Sequence, residues 1–306
     1  MFILSRKAYY FSITLMHKHS IAFVTSTEQP LMSNDDALTA SMLSDLGYET
    51  KAMPWDDNSI DWKKFDAVVL RSCWNYHRKP QAFSNWLSVL DEQQVRVLNS
   101  AQVVRSNMHK AYLLALQQRG VLIPKTSLLQ KESNIEWNKV LAQLALSKAV
   151  VKPAISADAH NTYVISPSTT QYLSECSALL LQTDVLLQEF LEEIKTEGEW
   201  SLIFFDKQFS HALLKKPAEK DFRVQQLYGG EVVSADPPAN VRLQAEHILS
   251  LIEAPLVYAR VDGVCRNNRF VLMELELIEP SLYLAHSAQA AGLFAHAIIK
   301  AIRLQP

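Results

Sequence analysis

Three carboxylates interrupt the two most apolar strand-like segments near the C-terminal end of the chain. Asp262 lies in YARVDGV, and Glu274 and Glu276 lie in FVLMELELIEP. Ionised groups are costly to bury, so carboxylates rarely face the inside of an apolar sheet without a cation beside them. Residues 274 and 276 share one face of a strand because side chains alternate with a period of two. These segments therefore predict a hairpin with an acidic site on one face.

The register of this hairpin decides whether Asp262 joins the other two carboxylates. We predict that it does, through a connecting loop with an odd number of residues, for example a turn with Asn268 in the left-handed conformation. Two negative charges about 4 Å apart repel by roughly 4 kcal/mol at an effective dielectric of 20, so a cation should lie between them. Oxygen-only ligands favour magnesium bound together with nucleotide phosphates. The alternative is a surface ion-pair ladder with Arg260 and Arg269.

The order of the apolar segments predicts two domains, which suits a chain of 306 residues. Strand-like segments at 21–24, 65–70 and 95–98 alternate with helical patterns at 35–46 and 82–90. This alternation predicts an α/β domain with a parallel sheet at 21–105. Helices, strand-like segments at 150–153 and 185–190, and antiparallel strand pairs follow, so 106–306 is predicted to be a second, α+β domain. Residues 1–20 are expected to form a tail, and either Met1 or Met16 could be the native start.

Lysines supply the positive charge that a magnesium-bound triphosphate needs on its other oxygens. Lys152 lies at the end of the apolar segment VVKP. Its side chain either extends from the sheet end into solvent or points into a cleft. Lys110, Lys215 and Arg223 lie near strand ends and helix starts, where a solvated surface charge is the ordinary alternative.

The segment RSCWNYH follows the buried strand predicted at 65–70. Open α/β sheets bind ligands at the carboxyl ends of their parallel strands. We therefore predict that Arg71, Trp74 and Tyr76 contact a substrate. The alternative is that this loop is packed at the interface between the two domains.

Composition argues against several other functions. Thirty basic and 32 acidic side chains give no large field for nucleic acid or a membrane surface. With seven glycines and no GxGxxG or P-loop sequence, a Rossmann or Walker phosphate site is disfavoured. The nine histidines lack metal-binding spacing. The three cysteines form no CxxC pair, so a reducing, cytoplasmic location is expected.

From about Asn99 to Leu304 the chain resembles the ATP-grasp superfamily. The resemblance is carried by NMHKAYLLALQQRGVLIPKT, VVKPAIS, LLQEFLEEIKTEGEWSLIFF, SHALLKKPAEKDFRVQQLYGGE and YARVDGV with LMELELIEPSLYL. The chain is most similar to the D-cycloserine biosynthesis cyclo-ligase group, which closes O-ureido-D-serine into a ring using ATP. It is more distantly similar to glutathione synthetase and D-alanine:D-alanine ligase. The resemblance implies a two-lobed ATP-grasp domain and a ligase that joins nitrogen to a phosphorylated carboxyl-type group.

The resemblance also implies roles for individual residues. It implies that Lys110, Lys152 and Ser156 bind the phosphates of the nucleotide. The hinge formed by Gln188, Glu189, Phe190 and Leu191 would bind the edge of the adenine, and Glu199 would bind the ribose hydroxyls. The residues it assigns to the transferring phosphate are Lys215, Arg223 and Arg260. The implied metal ligands are Asp262, Glu274 and Glu276.

Two departures from the family pattern affect these roles. Most relatives have Asn where this chain has Glu276, and the added negative charge leaves the number of ions open at one or two Mg²⁺, with Mn²⁺ as a substitute. Relatives commonly close a glycine-rich flap over the phosphates, whereas residues 154–162 contain no glycine.

The expected substrate is a small amino-acid-like molecule, and a homodimer is an expectation of the same kind. The residues leave ring closure and intermolecular ligation equally open. Two functions from other classes also remain open. One is an inactive nucleotide-binding sensor or partner protein of the same fold, and the other is a non-enzymatic small-molecule binder, which would not explain the acidic hairpin.

Overall fold

The computed structural model describes residues 19–157, 159–168, 171–219, 223–224 and 229–304. The predicted N-terminal tail lies outside the described residues up to residue 18, and Met16 lies outside them as well. Among the helices that are described, none combines the length and the apolar character needed to cross a membrane.

The N-terminal part is a parallel sheet with the strand order β2-β1-β3-β4. Its elements are β1 (Ser20–Thr25), α1 (Asn34–Asp45), β2 (Glu49–Pro54), β3 (Ala67–Leu70), α2 (Pro80–Glu92) and β4 (Val97–Leu98). Strands β1 and β3 are continuous apolar runs because helices and loops cover both faces. Strand β2 was not predicted, because the sequence ETKAMP has no apolar run and forms a half-exposed edge.

The middle part is an antiparallel sheet with the order β5-β8-β6-β7. It follows two short helices, α3 (Ala101–Met108) and α4 (Tyr112–Gln118). Its elements are β5 (Thr126–Leu129), α5 (Trp137–Gln143), β6 (Ala149–Pro153), β7 (Tyr163–Ile165), α6 (Leu173–Leu180) and β8 (Val185–Glu189). The predicted strands at 150–153 and 185–190 are confirmed as β6 and β8, whereas α6 and the short strands β5 and β7 were not predicted.

The C-terminal part is a second antiparallel sheet, with the order β11-β10-β9-β12-β13. Its elements are α7 (Glu193–Thr196), β9 (Glu199–Phe205), β10 (Gln208–Lys216), β11 (Glu231–Ser234), α8 (Ala239–Ser250), β12 (Tyr258–Arg266), β13 (Arg269–Glu276) and α9 (Ala290–Leu304). The fold class predicted from the sequence is therefore confirmed, whereas the domain limits at 105 and 106 stay a prediction.

Buried polar side chains fasten the C-terminal sheet to the N-terminal one. The Asn99 amide donates to the carbonyls of Tyr258 and Leu277 at 2.9 Å and accepts from the Val257 N–H at 2.7 Å. The Tyr258 hydroxyl lies 3.0 Å from the Leu70 carbonyl oxygen at the end of β3 and donates to the Ile278 carbonyl just after β13 at 2.7 Å. These buried bonds set the end of β3 close to the end of β13, and this brings the RSCWNYH loop to the acidic hairpin.

Candidate active site

The acidic hairpin has a different turn from the predicted one. Strands β12 and β13 are joined by Asn267 and Asn268 alone, and both residues have positive φ angles of 51° and 60°. Asparagine tolerates this conformation, which the tight two-residue hairpin turn requires at both positions. The predicted odd loop is therefore wrong, and an even loop by itself would turn Asp262 to the opposite face.

A β-bulge restores the predicted face. Gly263 pairs with Leu272, but the next pair is Asp262 with Glu274, so Met273 is an extra residue in β13. The pair after that is Arg260 with Glu276. Gly263 is needed here because an added Cβ would lie 2.3 Å from the Val271 carbonyl oxygen. The three carboxylates therefore share one face, as predicted, for a reason that the sequence pattern did not reveal.

Arg260 and Asp262 form a buried pair on that face. The Arg260 Nε lies 3.0 Å from both carboxylate oxygens of Asp262, and Nη2 lies 2.9 Å from Oδ2. Arg260 Nη2 also contacts Glu276, and the Ser201 hydroxyl donates to Asp262 at 2.6 Å. Arg260 does pair with two of the carboxylates, as in the ion-pair alternative, but Arg260 and Asp262 are buried and not on the surface. Arg269 lies at the exposed end of the hairpin.

The pKa shifts on this face reflect burial and charge together. Burial opposes the charged form of Asp262, but Arg260 and Lys215 outweigh it and lower the pKa of this carboxyl. Burial, with Asp262 and Glu274 as negative neighbours, raises the pKa of Glu276 to about 8 against the opposing charge of Arg260. Of these two carboxylates, Glu276 has the less favourable electrostatic environment for a negative charge.

Lysines from three elements face the carboxylates across the cleft. Lys110 lies 2.8 Å from Glu274 and donates to the Ser156 carbonyl at 2.9 Å. Burial lowers the pKa of Lys152, at the end of β6, to about 8. Lys215 lies 3.3 Å from Glu199 and 3.7 Å from Asp262. Each of these lysines therefore points into the cleft, which is the functional alternative of the sequence reasoning.

Glu199 and Lys215 are cross-strand partners on β9 and β10. Burial and the nearby Arg260 lower the pKa of Lys215, but Asp262 and Glu199 outweigh them and raise it. Burial raises the pKa of Glu199. Ser201 was not predicted as a site residue, although its distance of two residues from Glu199 places it on the same face of β9 and was a usable signal.

The hinge after β8 offers a narrower binding edge than predicted. The N–H groups of Glu189 and Phe190 donate to the carbonyls of Lys125 and Lys148 at 2.8 and 3.1 Å, so they already have partners. Gln188 donates to the Thr126 hydroxyl at 2.9 Å. Residues 188, 189 and 191 line the cleft, whereas the Phe190 ring turns to Lys148, whose Nζ lies 3.5 Å from the ring centre. Of the four hinge residues, Leu191 is the best placed to offer a backbone N–H to a base.

The cleft between the middle and C-terminal sheets has a volume of about 390 Å³, a size typical of small-molecule sites. Its lining includes fifteen of the seventeen predicted functional residues, all except Arg71 and Phe190: Lys110, Lys152, Ser156, Gln188, Glu189, Leu191, Glu199, Lys215, Arg223, Arg260, Asp262, Glu274, Glu276 and, at one end, Trp74 and Tyr76. The Ser156 hydroxyl donates to the Pro153 carbonyl at 3.2 Å. Sequence reasoning missed Tyr112 and Glu279, which also line the cleft.

Arg71 is the predicted substrate residue that the structure removes from the cleft. Its Nε lies 2.6 Å from Asp36, and its Nη2 donates to the Pro280 carbonyl at 2.9 Å. The guanidinium also lies 5.3 Å from the centre of the Tyr258 ring. The prediction of substrate contact is corrected for Arg71, because these partners seal it within the packing between the sheets.

The segment that follows β13 is held by its carbonyl groups. Each carbonyl from residue 277 to residue 282 accepts a hydrogen bond from a side chain of another part of the chain. The donors, in order, are Asn99, Tyr258, Trp74, Arg71, Arg260 and His211, at distances of 2.7–3.2 Å. Such a fixed backbone provides a rigid floor at the end of the cleft that Trp74 and Tyr76 also line.

The donor set fits magnesium, although not as a ready-made cage. Among the described residues, no group of three His, Cys, Asp or Glu side chains is arranged to hold a metal ion. Asp262 and Glu274 lie directly opposite each other and offer only oxygen atoms. Mg²⁺ is commonly held by one or two carboxylates together with nucleotide phosphates and water. These residues therefore suit an ion that arrives with a nucleotide.

The chain is similar in sequence and in structure to D-cycloserine synthetase DcsG. Residues 21–99 match the family described as the N-terminal domain of D-cycloserine synthetase DcsG. The chain is 28% identical over 274 residues to the cycloserine biosynthesis protein DcsG of Streptomyces lavendulae, covering 85% of this chain and 91% of the relative. The crystal structure of D-cycloserine synthetase DcsG has a TM-score of 0.82 at 26% identity, covering 92% of this chain and 99% of that one.

More distant solved structures share the fold. D-alanine–D-alanine ligase from Bacillus anthracis complexed with ATP has a TM-score of 0.67 at 15% identity, covering 94% of this chain and 97% of that one. The ATP-grasp ligase PsnB, complexed with its minimal precursor, Mg and ADP, has a TM-score of 0.61 at 16% identity, covering 92% and 98%. The chain thus has the ATP-grasp fold, and these relatives bind ATP or ADP, in one case with Mg.

Proposed function

We propose that this chain, which is an ATP-grasp C–N ligase related to D-cycloserine synthetase DcsG, phosphorylates a small amino-acid-like substrate and joins a nitrogen to the activated carbon. The observation that carries this proposal is the meeting of lysines, arginines and carboxylates in one cleft. A metal-bound triphosphate needs both signs of charge, because its ion requires oxygen ligands and its remaining phosphate oxygens require donors.

Lys110 and Lys152 are proposed to hold the phosphates. Lys110 is shared between Glu274 and the Ser156 carbonyl, so it can turn from Glu274 to the oxygens of an entering phosphate. Lys152 has a lowered pKa because burial disfavours its charge, and an anionic ligand would favour that charge. Nucleotide binding should therefore relieve the unfavourable burial of the Lys152 charge in the ligand-free cleft.

Asp262 and Glu274 are proposed to hold one Mg²⁺, or Mn²⁺ in its place. Such an ion neutralises charge on the phosphate oxygens during transfer. The exchange of Lys110 from Glu274 to a phosphate frees carboxylate oxygens for the ion at the moment when the nucleotide arrives.

The other end of the nucleotide is proposed to lie at the hinge. Leu191 would offer its backbone to the adenine edge, and the apolar side chains of Val150, Met273 and Leu275 would cover the base. Glu199 would accept hydrogen bonds from the ribose hydroxyls. Phe190 is excluded from direct contact in this proposal because its ring packs against Lys148.

The reacting groups are proposed to meet between Lys215, Arg223 and Arg260. A substrate oxygen attacks the γ-phosphorus, ADP leaves, and the substrate nitrogen then displaces inorganic phosphate from the activated carbon. The three cations stabilise charge on the phosphate through position and electrostatics alone. Water must be kept out, since an acyl phosphate hydrolyses, and the flap at 154–162 is the proposed cover.

The substrate is proposed to bind at the end of the cleft lined by Trp74 and Tyr76. The rigid segment 279–282 forms the floor there, and Arg260 is directed towards it through the Ser281 carbonyl. Because its relative DcsG is a D-cycloserine synthetase, the narrower proposal is a cyclo-ligase that closes a ring within one amino-acid-like molecule. A two-substrate ligation would use the same charged residues.

The test is ADP and phosphate release from Mg-ATP with a panel of L- and D-amino acids, O-ureido-serine and dipeptides. We expect release that depends on one class of substrate and that is lost in Glu274→Gln and Lys152→Ala. Matched controls on the surface are Glu246→Gln and Lys300→Ala, which remove the same charges from exposed ion pairs. Mass spectrometry of the product separates ring closure from joining, and light scattering tests the homodimer.

Nucleotide binding without turnover on any substrate would favour the inactive sensor over the ligase. Failure to bind Mg-ATP at all would contradict the proposed roles of both lysines and of Glu274.

A further inference from the structure

Arg260 is held on several sides at once. Its Nε and Nη2 form a fork on Asp262, Nη2 also contacts Glu276, and Nη1 donates to the Ser281 carbonyl at 3.0 Å. The Tyr283 ring centre lies 5.8 Å from the guanidinium carbon. An arginine side chain has many rotamers when it is unrestrained, and here each nitrogen has a partner. The guanidinium therefore has one fixed orientation in the cleft.

The rungs of the hairpin separate the carboxylates by role. Asp262 lies opposite Glu274, and these two are the closest carboxylates that one ion could bridge, since directly opposed side chains have Cβ atoms about 4.5–5.5 Å apart. Glu276 lies on the next rung, and its opposite residue is Arg260. Residues two apart on one strand are separated by roughly 6.6–6.8 Å. A shared ion is thus favoured on the first rung and an ion pair on the second.

The two glutamates of β13 contact different cationic side chains. Glu274 contacts Lys110, which is proposed to move to a phosphate. Glu276 contacts the fixed Arg260. An ion bound to Glu276 would have to lie close to that guanidinium and would meet an adjacent positive charge. Arg260 therefore occupies the place beside Glu276 that a second ion would need.

We propose that Glu276 is a positioning residue for Arg260 and not a metal ligand, so that the site holds a single divalent ion on Asp262 and Glu274. This inference rests on the proposed function and deepens it. In this arrangement Glu276 sets the angle at which Arg260 meets the transferring phosphate, and the charge it adds is compensated within the chain.

The first test counts ions. Mn²⁺ is titrated into the protein at saturating ADP, and bound ions per protein are measured by electron paramagnetic resonance for the wild type, Glu276→Gln and Glu274→Gln. We expect one bound ion in the wild type and in Glu276→Gln with similar affinity. Glu274→Gln is the matched control on the same strand and should weaken Mn²⁺ binding about tenfold or more.

The second test measures coupling with Arg260. Glu276→Gln should lower kcat about tenfold and leave the KM for ATP within about twofold, because it disturbs the transition state and not nucleotide binding. In an Arg260→Lys background the same substitution should cost much less, since lysine cannot keep the fork that Glu276 helps to orient. Glu276→Asp, which keeps the charge, should restore part of kcat.

These results can overturn the proposal in clear ways. A wild type with two bound ions, of which Glu276→Gln loses one, would make Glu276 a metal ligand. Additive losses in Glu276→Gln and Arg260→Lys would remove the positioning role. A wild type that binds neither ADP nor Mn²⁺ would instead refute the proposed function on which the inference rests.

Discussion

Two buried arginine–aspartate pairs lie at opposite sides of the same backbone segment and have different consequences. Arg71 and Asp36 are 3% and 1% exposed, with Nε 2.6 Å from the carboxylate. Arg260 and Asp262 are 8% and 3% exposed, with a closest contact of 2.9 Å. Burial and pairing are nearly the same in the two pairs. What differs is the third partner and the space in front of the guanidinium.

Arg71 is enclosed by the protein on every described side. Its second donor reaches the Pro280 carbonyl, and the rings of Tyr258 and Phe294 lie 5.3 and 5.4 Å from its guanidinium carbon. Its Nη1 has no hydrogen-bond partner among the described residues. Replacing a paired buried arginine leaves an aspartate without compensation, so this pair should matter for stability.

Arg260 has the same kind of anchor but faces the cleft. It takes the next carbonyl along, that of Ser281, and lies beside Lys215 and Glu276. The two arginines thus hold adjacent carbonyls of one rigid segment, one from behind and one from the side of the cleft. The comparison teaches that a buried arginine–aspartate pair indicates function only where a cleft reaches its guanidinium.

The largest expected effect comes from Arg260→Lys. Lysine keeps the charge but cannot form the fork on Asp262 or reach Glu276 and Ser281 together. We expect kcat/KM for substrate-dependent ADP release to fall about 10²–10³-fold, the usual cost of losing one preorganised group at developing charge. Thermal unfolding should change less than in Arg71→Lys, because the cleft in front of Arg260 lets water reach the groups that lose a donor. An activity within threefold of the wild type would contradict the catalytic role of Arg260.

The sequence could predict the features of these two pairs that follow from local strand periodicity, but not those that depend on contacts between distant parts of the chain. The period of two on β13 correctly put Glu274 and Glu276 on one face, and the apolar strands around them predicted the hairpin. The Met273 bulge was not predictable, because its signal is the close approach of Gly263 to the Val271 carbonyl, a contact between strands. The extra residue of the bulge shifts β13 by one position relative to β12. Together with the two-residue turn, it puts Asp262 on the same face as Glu274 and Glu276, as the predicted odd loop would have done.

The role of Arg71 was also beyond the sequence. A loop after a parallel strand is a good place for a ligand, and Trp74 and Tyr76 of the same loop do line the cleft. Arg71 differs because its partner Asp36 is on α1, 35 residues earlier, and its carbonyl partner is Pro280. Such long-range partners leave no local pattern. The lysines had no decisive local signal either, because their residues alone left solvent and cleft both open, and only the resemblance to the ATP-grasp superfamily assigned them to phosphates.

The matched substitution Arg71→Lys should give the opposite result. A lysine at this position loses the donation to Pro280 or to Asp36 and leaves a buried acceptor without a partner. We expect the free energy of unfolding to fall by about 2–3 kcal/mol, the range for buried hydrogen bonds to charged groups. At a temperature where the variant is folded, ADP release should stay within a few-fold of the wild type. Denaturant unfolding and initial rates measured on the same sample check both halves, and a selective loss of rate without a loss of stability would return Arg71 to the substrate site.

The smallest expected effect concerns Lys152, a buried cation whose pKa is lowered where those of both arginines are raised. Its pKa falls from 10.5 to about 8 chiefly through burial. Below pH 8 the charged Lys152 therefore lowers the free energy of unfolding of the ligand-free protein. Between pH 8 and 10.5 the unfolded chain binds the proton more tightly, and that cost fades as the pH rises. Lys152→Met should therefore stabilise the ligand-free protein at pH 7 by about 1–2 kcal/mol, with less than about half of the gain left at pH 9.5, while weakening Mg-ATP binding. Thermal melts of both proteins at the two pH values test this, with Lys300→Met as the exposed control, and a destabilised Lys152→Met would mean that this lysine has a structural partner comparable to Asp36 or Asp262.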